Sequence, residues 1–249
     1  METLRCEKLW KTFEGTYALA DSTMEFSSNG VTAIMGPNGA GKTTLLNVLT
    51  GFIRPDSGRC YLNSQDITGL PPYRIARLGM ARTFQNLRLI QEVTVLENVM
   101  LARPNQRGER LFPALLRFGV ADDESRNLEA AMRLLHLARL EEKASTNAGE
   151  LSYGQQKILT LACCLATEAR VLLLDEPVAG VDPIMTAEIL RLLGRLRDMG
   201  KLVIFAEHDV AAVRQAADLV IVMDEGKVIA EGPPAEVLGR REIIEAYLA

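Results

Sequence analysis

The sequence predicts an α/β protein built on a mostly parallel sheet. Two observations carry this expectation. Short, uninterrupted apolar runs (VTAIM, VLLLD, LVIFA and LVIVM) have the pattern of strands buried on both faces. Stretches with apolar residues at i, i+3, i+4 and i+7 alternate with them, as crossover helices do in such a sheet. At 249 residues, 48% of them hydrophobic and 24% charged, the chain suits one large domain or a core with a smaller satellite.

The elements follow in order. LRCEKL and YALADSTMEF form a strand-rich lead-in, and VTAIM (31–35) is a compact strand that stops at Gly36. KTTLLNVLTGF has helical spacing and ends near Gly51; RPDSG is a turn, and RCYLNSQDI a further strand. From 86 to 150 the character is helical, in VLENVMLA and RNLEAAMRLLHLARL, joined by the irregular, Pro- and Gly-bearing ARPNQRGERLFPALLRFGVADD. The parallel pattern then resumes: helix 153–167, strand 171–175, helix 184–198, strand 202–206, helix 209–217 and strand 219–223. A DEGKVIAEG hairpin and a short helix in EIIEAYLA complete the expected order.

Composition excludes some functions. A net charge of −4 is the wrong sign for a chain that holds the nucleic-acid backbone, so no nucleic acid is expected as partner. Cys6, Cys60, Cys163 and Cys164 fit neither a metal-binding spacing nor a disulfide framework, and read as reduced, with Cys163 and Cys164 as core residues. No signal peptide is readable in METLRCEKLW, and the most apolar run, ILTLACCLAT, is about half the ~20 residues that cross a bilayer.

The strongest motif is GPNGAGKTT (36–44), which fits G-x-x-x-x-G-K-[ST] after a predicted strand and at the start of a helix. Gly36, Gly39 and Gly41 let the backbone turn its N–H groups toward phosphate oxygens, and the helix that follows adds the positive end of its dipole. Lys42 is placed to reach β/γ-phosphates and the Thr43 hydroxyl to ligate Mg²⁺. VLLLDEP ends a buried strand in two acids, which are costly near a dry core without a task. Asp175 can hold Mg²⁺ through water and Glu176 can polarise an attacking water. Standing alone, His208 would be a structural histidine and Gln85 a surface residue; beside these motifs they read as a γ-phosphate contact and a ligand of the ion or the water. His136 reads as structural. LSYGQQ (151–156) offers Ser152 as a helix N-cap and Gly154 for close approach, with Tyr153 unexplained between them.

Together GPNGAGKTT, Gln85, LSYGQQ, VLLLDEP, AGVD (179–182) and His208, in this order and spacing, resemble an ABC-type ATPase cassette over essentially the whole chain. They look like its Walker A loop, Q-loop, signature, Walker B strand, D-loop and switch histidine. The resemblance implies a single domain, 1–249, with a P-loop NTPase (RecA-like) core over 1–85 and 166–249, an N-terminal antiparallel β subdomain, and an inserted helical subdomain over 86–165. It implies ATP and Mg²⁺, with nucleotide held by Phe13 against adenine and by Gly36, Pro37, Asn38, Gly39, Ala40, Gly41, Lys42, Thr43 and Thr44. Thr43, Gln85 and Asp175 would serve the metal, and Glu176, His208 and Gln85 the hydrolysis. Ser152, Gly154, Gln155 and Asp182 would contact nucleotide held by a second cassette.

The partners so implied are that second cassette (a copy or a paralogue), membrane permease subunits and a solute-binding protein, with the chain on the cytoplasmic face of the cell membrane. ARTFQNLRLIQEVTVLENVMLA, LSYGQQ and the terminal EAYLA are similar to the ATP-binding subunits of branched-chain amino acid importers. AGVDPI also resembles the cassettes of lipopolysaccharide exporters, and Val31 departs from the Glu found there in many cassettes. An exporter cassette, an amide or urea importer, and a soluble non-transport ATPase stay open as alternatives. A different P-loop enzyme, such as a GTPase or small-molecule kinase, is disfavoured, since no NKxD-like motif is present and LSYGQQ would be left unexplained.

Overall fold

The computed structural model describes residues 1–28, 30–85, 87–104, 120–241 and 243. The chain divides into two compact units: Met1–Gln85, Arg170–Ala179 and Thr186–Ala249 form the first, and Asn86–Ala169 with Gly180–Met185 the second.

The first unit holds both sheets. β1 (Thr3–Phe13), β2 (Thr16–Ser27), β4 (Ser57–Leu62) and β5 (Gln65–Asp66) form an antiparallel sheet in the order β2-β1-β4-β5. The single strand expected over RCYLNSQDI is thus a hairpin, turned at Asn63, whose φ of 55° is one that Asn tolerates.

The second sheet has the order β10-β9-β3-β8-β7-β6, from β3 (Val31–Met35), β6 (Met80–Arg82), β7 (Val171–Asp175), β8 (Leu202–Glu207), β9 (Leu219–Asp224) and β10 (Lys227–Gly232). Its strands run parallel except for β10, which closes a hairpin on β9. Every residue of β3, β7 and β8 is buried, as their mostly apolar sequences favour, and this includes the acids Asp175 and Glu207 that end β7 and β8. One core joins the two sheets through Leu4, Phe26, Ile34, Leu173, Ile204 and Ile221. Into it α1 (Lys42–Leu49) turns Leu45, Leu46, Val48 and Leu49. A short helix not foreseen from sequence, α2 (Pro72–Arg77), precedes β6 and starts on a proline, which loses nothing at a first helical position.

The second unit is helical: α3 (Val95–Leu101), α4 (Val120–Leu137) and α5 (Tyr153–Ala166) pack together. Residues 120–123, expected to be irregular, are helical within α4. Residues 105–119 of that irregular stretch lie outside the described residues, as does the helix expected in EIIEAYLA apart from Ile243. Thr94 caps α3 reciprocally with Glu97, and buried Asn98 ties the helix to the preceding segment by accepting from the Ile90 N–H and donating to the Ile90 carbonyl, both at 3.0 Å.

In the first unit α6 (Pro183–Asp198, its first residues in the second unit) is followed by α7 (Val210–Ala216) and, after the β9–β10 hairpin, by α8 (Pro234–Val237). Register decides what this scaffold presents. Met35 lies opposite Glu207 and Asp175 opposite Ala206, so β3, β7 and β8 end together. Gly36, Glu176 and His208 therefore leave the sheet at one edge, the carboxyl edge where open parallel sheets bind ligands.

Candidate functional site

At that edge the chain from Gly36 to Lys42 folds over the end of β3 and starts α1. Gly41 has φ 101°, and a Cβ there would lie 2.3 Å from the Ala18 carbonyl oxygen, so neither the conformation nor the space admits another residue. α1 has no side-chain cap and no acid in its first turn. Its uncancelled positive end opens on a cavity of about 350 Å³ lined by Ala18, Asn38–Thr44, Gln85 and Glu176. Lys42 is buried, and its Nζ donates to the carbonyls of Gly36 (2.6 Å) and Pro37 (2.9 Å). Burial lowers its pKa, while the carboxylates of Glu176, Asp175 and Glu207 act in the opposite direction and favour the ammonium.

Asp175 is not a strand end running out into solvent. It is 6% exposed; Arg82 Nη2 donates to its Oδ2 at 2.8 Å, and its own N–H donates to Thr83 Oγ1 at 3.1 Å. Arg82 also donates to Asn47 Oδ1 at 2.6 Å and lies over the Phe84 ring. Glu176 follows with φ 48°, a left-handed conformation that costs a non-glycine residue energy and often marks a functional position. Gln85 Nε2 donates to Glu176 Oε2 at 3.1 Å, and His208 Nδ1 stands 3.7 Å from Glu176 Oε1. Asp209, beside that histidine, caps α7 by accepting from the N–H groups of Ala211 and Ala212.

The structure thus brings Lys42, Thr43, Gln85, Asp175, Glu176 and His208 to one place in the first unit. Phe13, at the end of β1, is not among the cavity's lining residues; its ring is 45% exposed under the Lys11 ammonium.

Ser152, Gly154, Gln155 and Asp182 belong to the second unit. Ser152 Oγ accepts the Gln155 N–H at 3.3 Å and Gln155 Oε1 accepts the Ser152 N–H at 3.1 Å, a complete capping box for α5. Asp182 Oδ1 accepts from the N–H groups of Ile184 and Met185 at the start of α6. A Cβ on Gly154 would lie 2.5 Å from Met185 Cγ and 3.1 Å from Val181 Cγ1, so a side chain there would have to displace Met185 within this chain. Tyr153 packs its ring toward Gly180 and takes Lys157 over its face, holding the start of α5 to the same 180–185 segment.

Sequence reasoning missed Arg82 and Glu207. Arg82 sits in a three-residue strand, too short to show a period. Glu207 ends an otherwise apolar strand without any exposed surface. Its acid character was the available signal, since a carboxylate is seldom fully buried without a partner.

A glycine-rich loop between strand and helix at the carboxyl edge of a parallel sheet, with a buried lysine and strand-end acids, defines a P-loop nucleotide-binding protein. The profile of the family described as "ABC transporter" matches residues 19–179. The probable branched-chain amino acid transport ATP-binding protein LivG of Archaeoglobus fulgidus is 36% identical, over 100% of this chain and 96% of its own length. The high-affinity branched-chain amino acid transport ATP-binding protein LivG of Escherichia coli is 38% identical, over 96% and 95%. Among solved structures, the ADP conformation of an ATP-binding cassette of an ABC transporter has a TM-score of 0.86 at 34% identity, covering 100% of this chain and 99% of that one. A dimeric bacterial ABC transporter cassette has a TM-score of 0.77 at 27% identity, over 93% and 98%. The chain belongs to the ABC transporter family, as one of its ATPase cassettes.

Proposed function

We propose that this cassette hydrolyses ATP at the carboxyl edge of its parallel sheet and so drives import of a small polar solute, a branched-chain amino acid by the likeness of its relatives. The observation that carries the catalytic reading is the meeting of Gln85, Glu176 and His208 beside the cavity that Lys42 and the α1 N-terminus line. Lys42 exchanges its two loop carbonyls for β/γ-phosphate oxygens, and the loop amides cradle the rest. Glu176, held by Gln85, accepts a proton from the attacking water, while His208 meets the γ-phosphate. The exposed ring of Phe13 is available to stack on adenine.

Thr43, Gln85 and Asp175 offer a hydroxyl, an amide carbonyl and a carboxylate, oxygen donors that suit Mg²⁺. Gln85 spends its amide nitrogen on Glu176, which keeps its carbonyl oxygen for ligation. When bound, the ion would neutralise charge on the β- and γ-phosphates.

Ser152, Gly154, Gln155 and Asp182 contact nucleotide in a second cassette, and loss of the γ-phosphate lets the pair open against a membrane permease supplied by a solute-binding protein. The dimeric relative supports this reading. No helix among the described residues is long and apolar enough to cross a membrane, which suits a cassette attached at the cytoplasmic face. The helical arm is taken as 86–165. The exporter likeness rests on AGVDPI alone.

The test is Glu176→Gln. Multiple-turnover ATPase activity falls by at least about 10²-fold while ATP binding persists. A rate within a few-fold of the parent protein overturns the role of Glu176.

A further inference from the structure

Glu207 is the one acid in β8, whose other five residues are apolar, and it has no exposed surface. Burying a carboxylate without a lysine or arginine beside it is expensive. Among the described residues the only basic group within ion-pair reach is His208 Nδ1, at 3.8 Å; the carboxylate's charge also favours the Lys42 ammonium, but no contact pair with a lysine or arginine accounts for its presence. Burial accordingly raises its pKa, and the hydrogen bonds from Val178 and His208 oppose that rise.

Its hydrogen bonds do account for it. Oε1 accepts the N–H of Val178 at 3.0 Å and Oε2 accepts the N–H of His208 at 3.2 Å. Val178 lies two residues beyond Glu176, and each bonded segment carries one of the side chains assigned to hydrolysis. The spans between these anchors are short: Glu176 N–H donates to the Ala206 carbonyl at 3.0 Å, and Asp209 fixes the chain on the far side of His208.

We infer that Glu207 is a positioning residue for ATP hydrolysis, its two oxygens clamping the backbone after Glu176 to the backbone of His208 so that the two side chains hold their 3.7 Å relation. A carboxylate is the side chain this task needs, because it offers two acceptors and no donor. Glutamine can accept one of the two N–H groups but turns its NH₂ toward the other. Leucine leaves both amides buried and unpaired. The inference rests on the proposed roles of Glu176 and His208.

The test uses the full chain with Glu207→Gln, Glu207→Leu, His208→Ala and the double variant Glu207→Gln/His208→Ala. Steady-state kcat for ATP, equilibrium ATP affinity and thermal melting are read on the same samples. Glu207→Gln is expected to lower kcat about tenfold or more, with ATP affinity within about twofold of the parent. In the His208→Ala background the same change is expected to lower kcat by less than about twofold, because the relation between Glu176 and His208 that Glu207 holds is already lost there. An unchanged kcat in folded Glu207→Gln overturns the inference, as does full additivity with His208→Ala. Loss of folded protein in both Glu207 variants assigns the carboxylate to the fold alone and also overturns it. A parent protein that binds ATP but does not hydrolyse it refutes the hydrolytic reading itself, an outcome distinct from these.

Discussion

Arg82 and Asp175 form an ion pair of 2.8 Å in which the two side chains are 4% and 6% exposed. The acid proposed to serve the metal is therefore also one half of a buried charge pair. Removing one partner of such a pair strands the other, at about 3–5 kcal/mol. Asp175→Ala is thus expected to lower stability by that order, measured by urea unfolding, whatever it does to catalysis. The double variant Arg82→Met/Asp175→Leu should recover most of the loss and remain inactive, since apolar replacement of a buried pair is often neutral. If Asp175→Ala unfolds at the parent midpoint, the pair contributes no net stability.

The cysteines allow a second prediction. Cys6 and Cys60 face each other across β1 and β4 with sulfurs 3.8 Å apart, both buried. The Cys60 thiol beside it and burial push the Cys6 thiol well up, and burial pushes Cys163 and Cys164 up to about 12. A raised pKa keeps the thiolate scarce below it, at about one part in ten thousand for Cys163 and Cys164 at pH 8. Native protein should resist iodoacetamide at pH 8, with Cys60 protected by its burial alone, whereas urea-unfolded protein should take up four equivalents. Rapid labelling of folded protein at any of the four sites would contradict this.

Much of the first unit was legible because buried parallel strands and the loop at 36–44 are written in contiguous residues. What escaped was fixed by pairing between distant segments. Arg82 meets Asp175 only because β6 lies beside β7, and its own three-residue strand carries no period. Glu207 resembles a strand end reaching solvent until the register with β3 shows it to be interior. Gly154 reads from sequence as a place of close approach, and the neighbours that crowd it within this chain, Val181 and Met185, show no local sign of that contact. No local pattern joins residues some thirty positions apart.

That last contact yields a third prediction. Gly154→Ala forces a methyl into Met185 and Val181, an overpacking expected to cost about 1–3 kcal/mol. Gly194→Ala supplies the control: it lies inside α6 with nothing within 4 Å of a built Cβ, so it should gain up to about 1 kcal/mol from helix propensity. Denaturant midpoints that shift in opposite directions would verify both. Equal stability of the two variants would show that the 180–185 segment yields without cost.

Ser152 has one observed job and one proposed job, and the two are separable. Its hydroxyl caps α5, worth about 1 kcal/mol, and in the proposed dimer the same group meets the γ-phosphate of ATP in the partner. Ser152→Ala removes both, so its phenotype alone decides nothing. Ser152→Asp separates them, because aspartate is as good an N-cap as serine but sets a carboxylate against the incoming phosphate. In a Glu176→Gln background, expected to preserve bound ATP, Ser152→Asp should unfold within about 0.5 kcal/mol of its parent yet show a strongly reduced ATP-dependent dimer by light scattering. Dimerisation equal to the parent's would place Ser152 away from the phosphate and leave capping as its whole role.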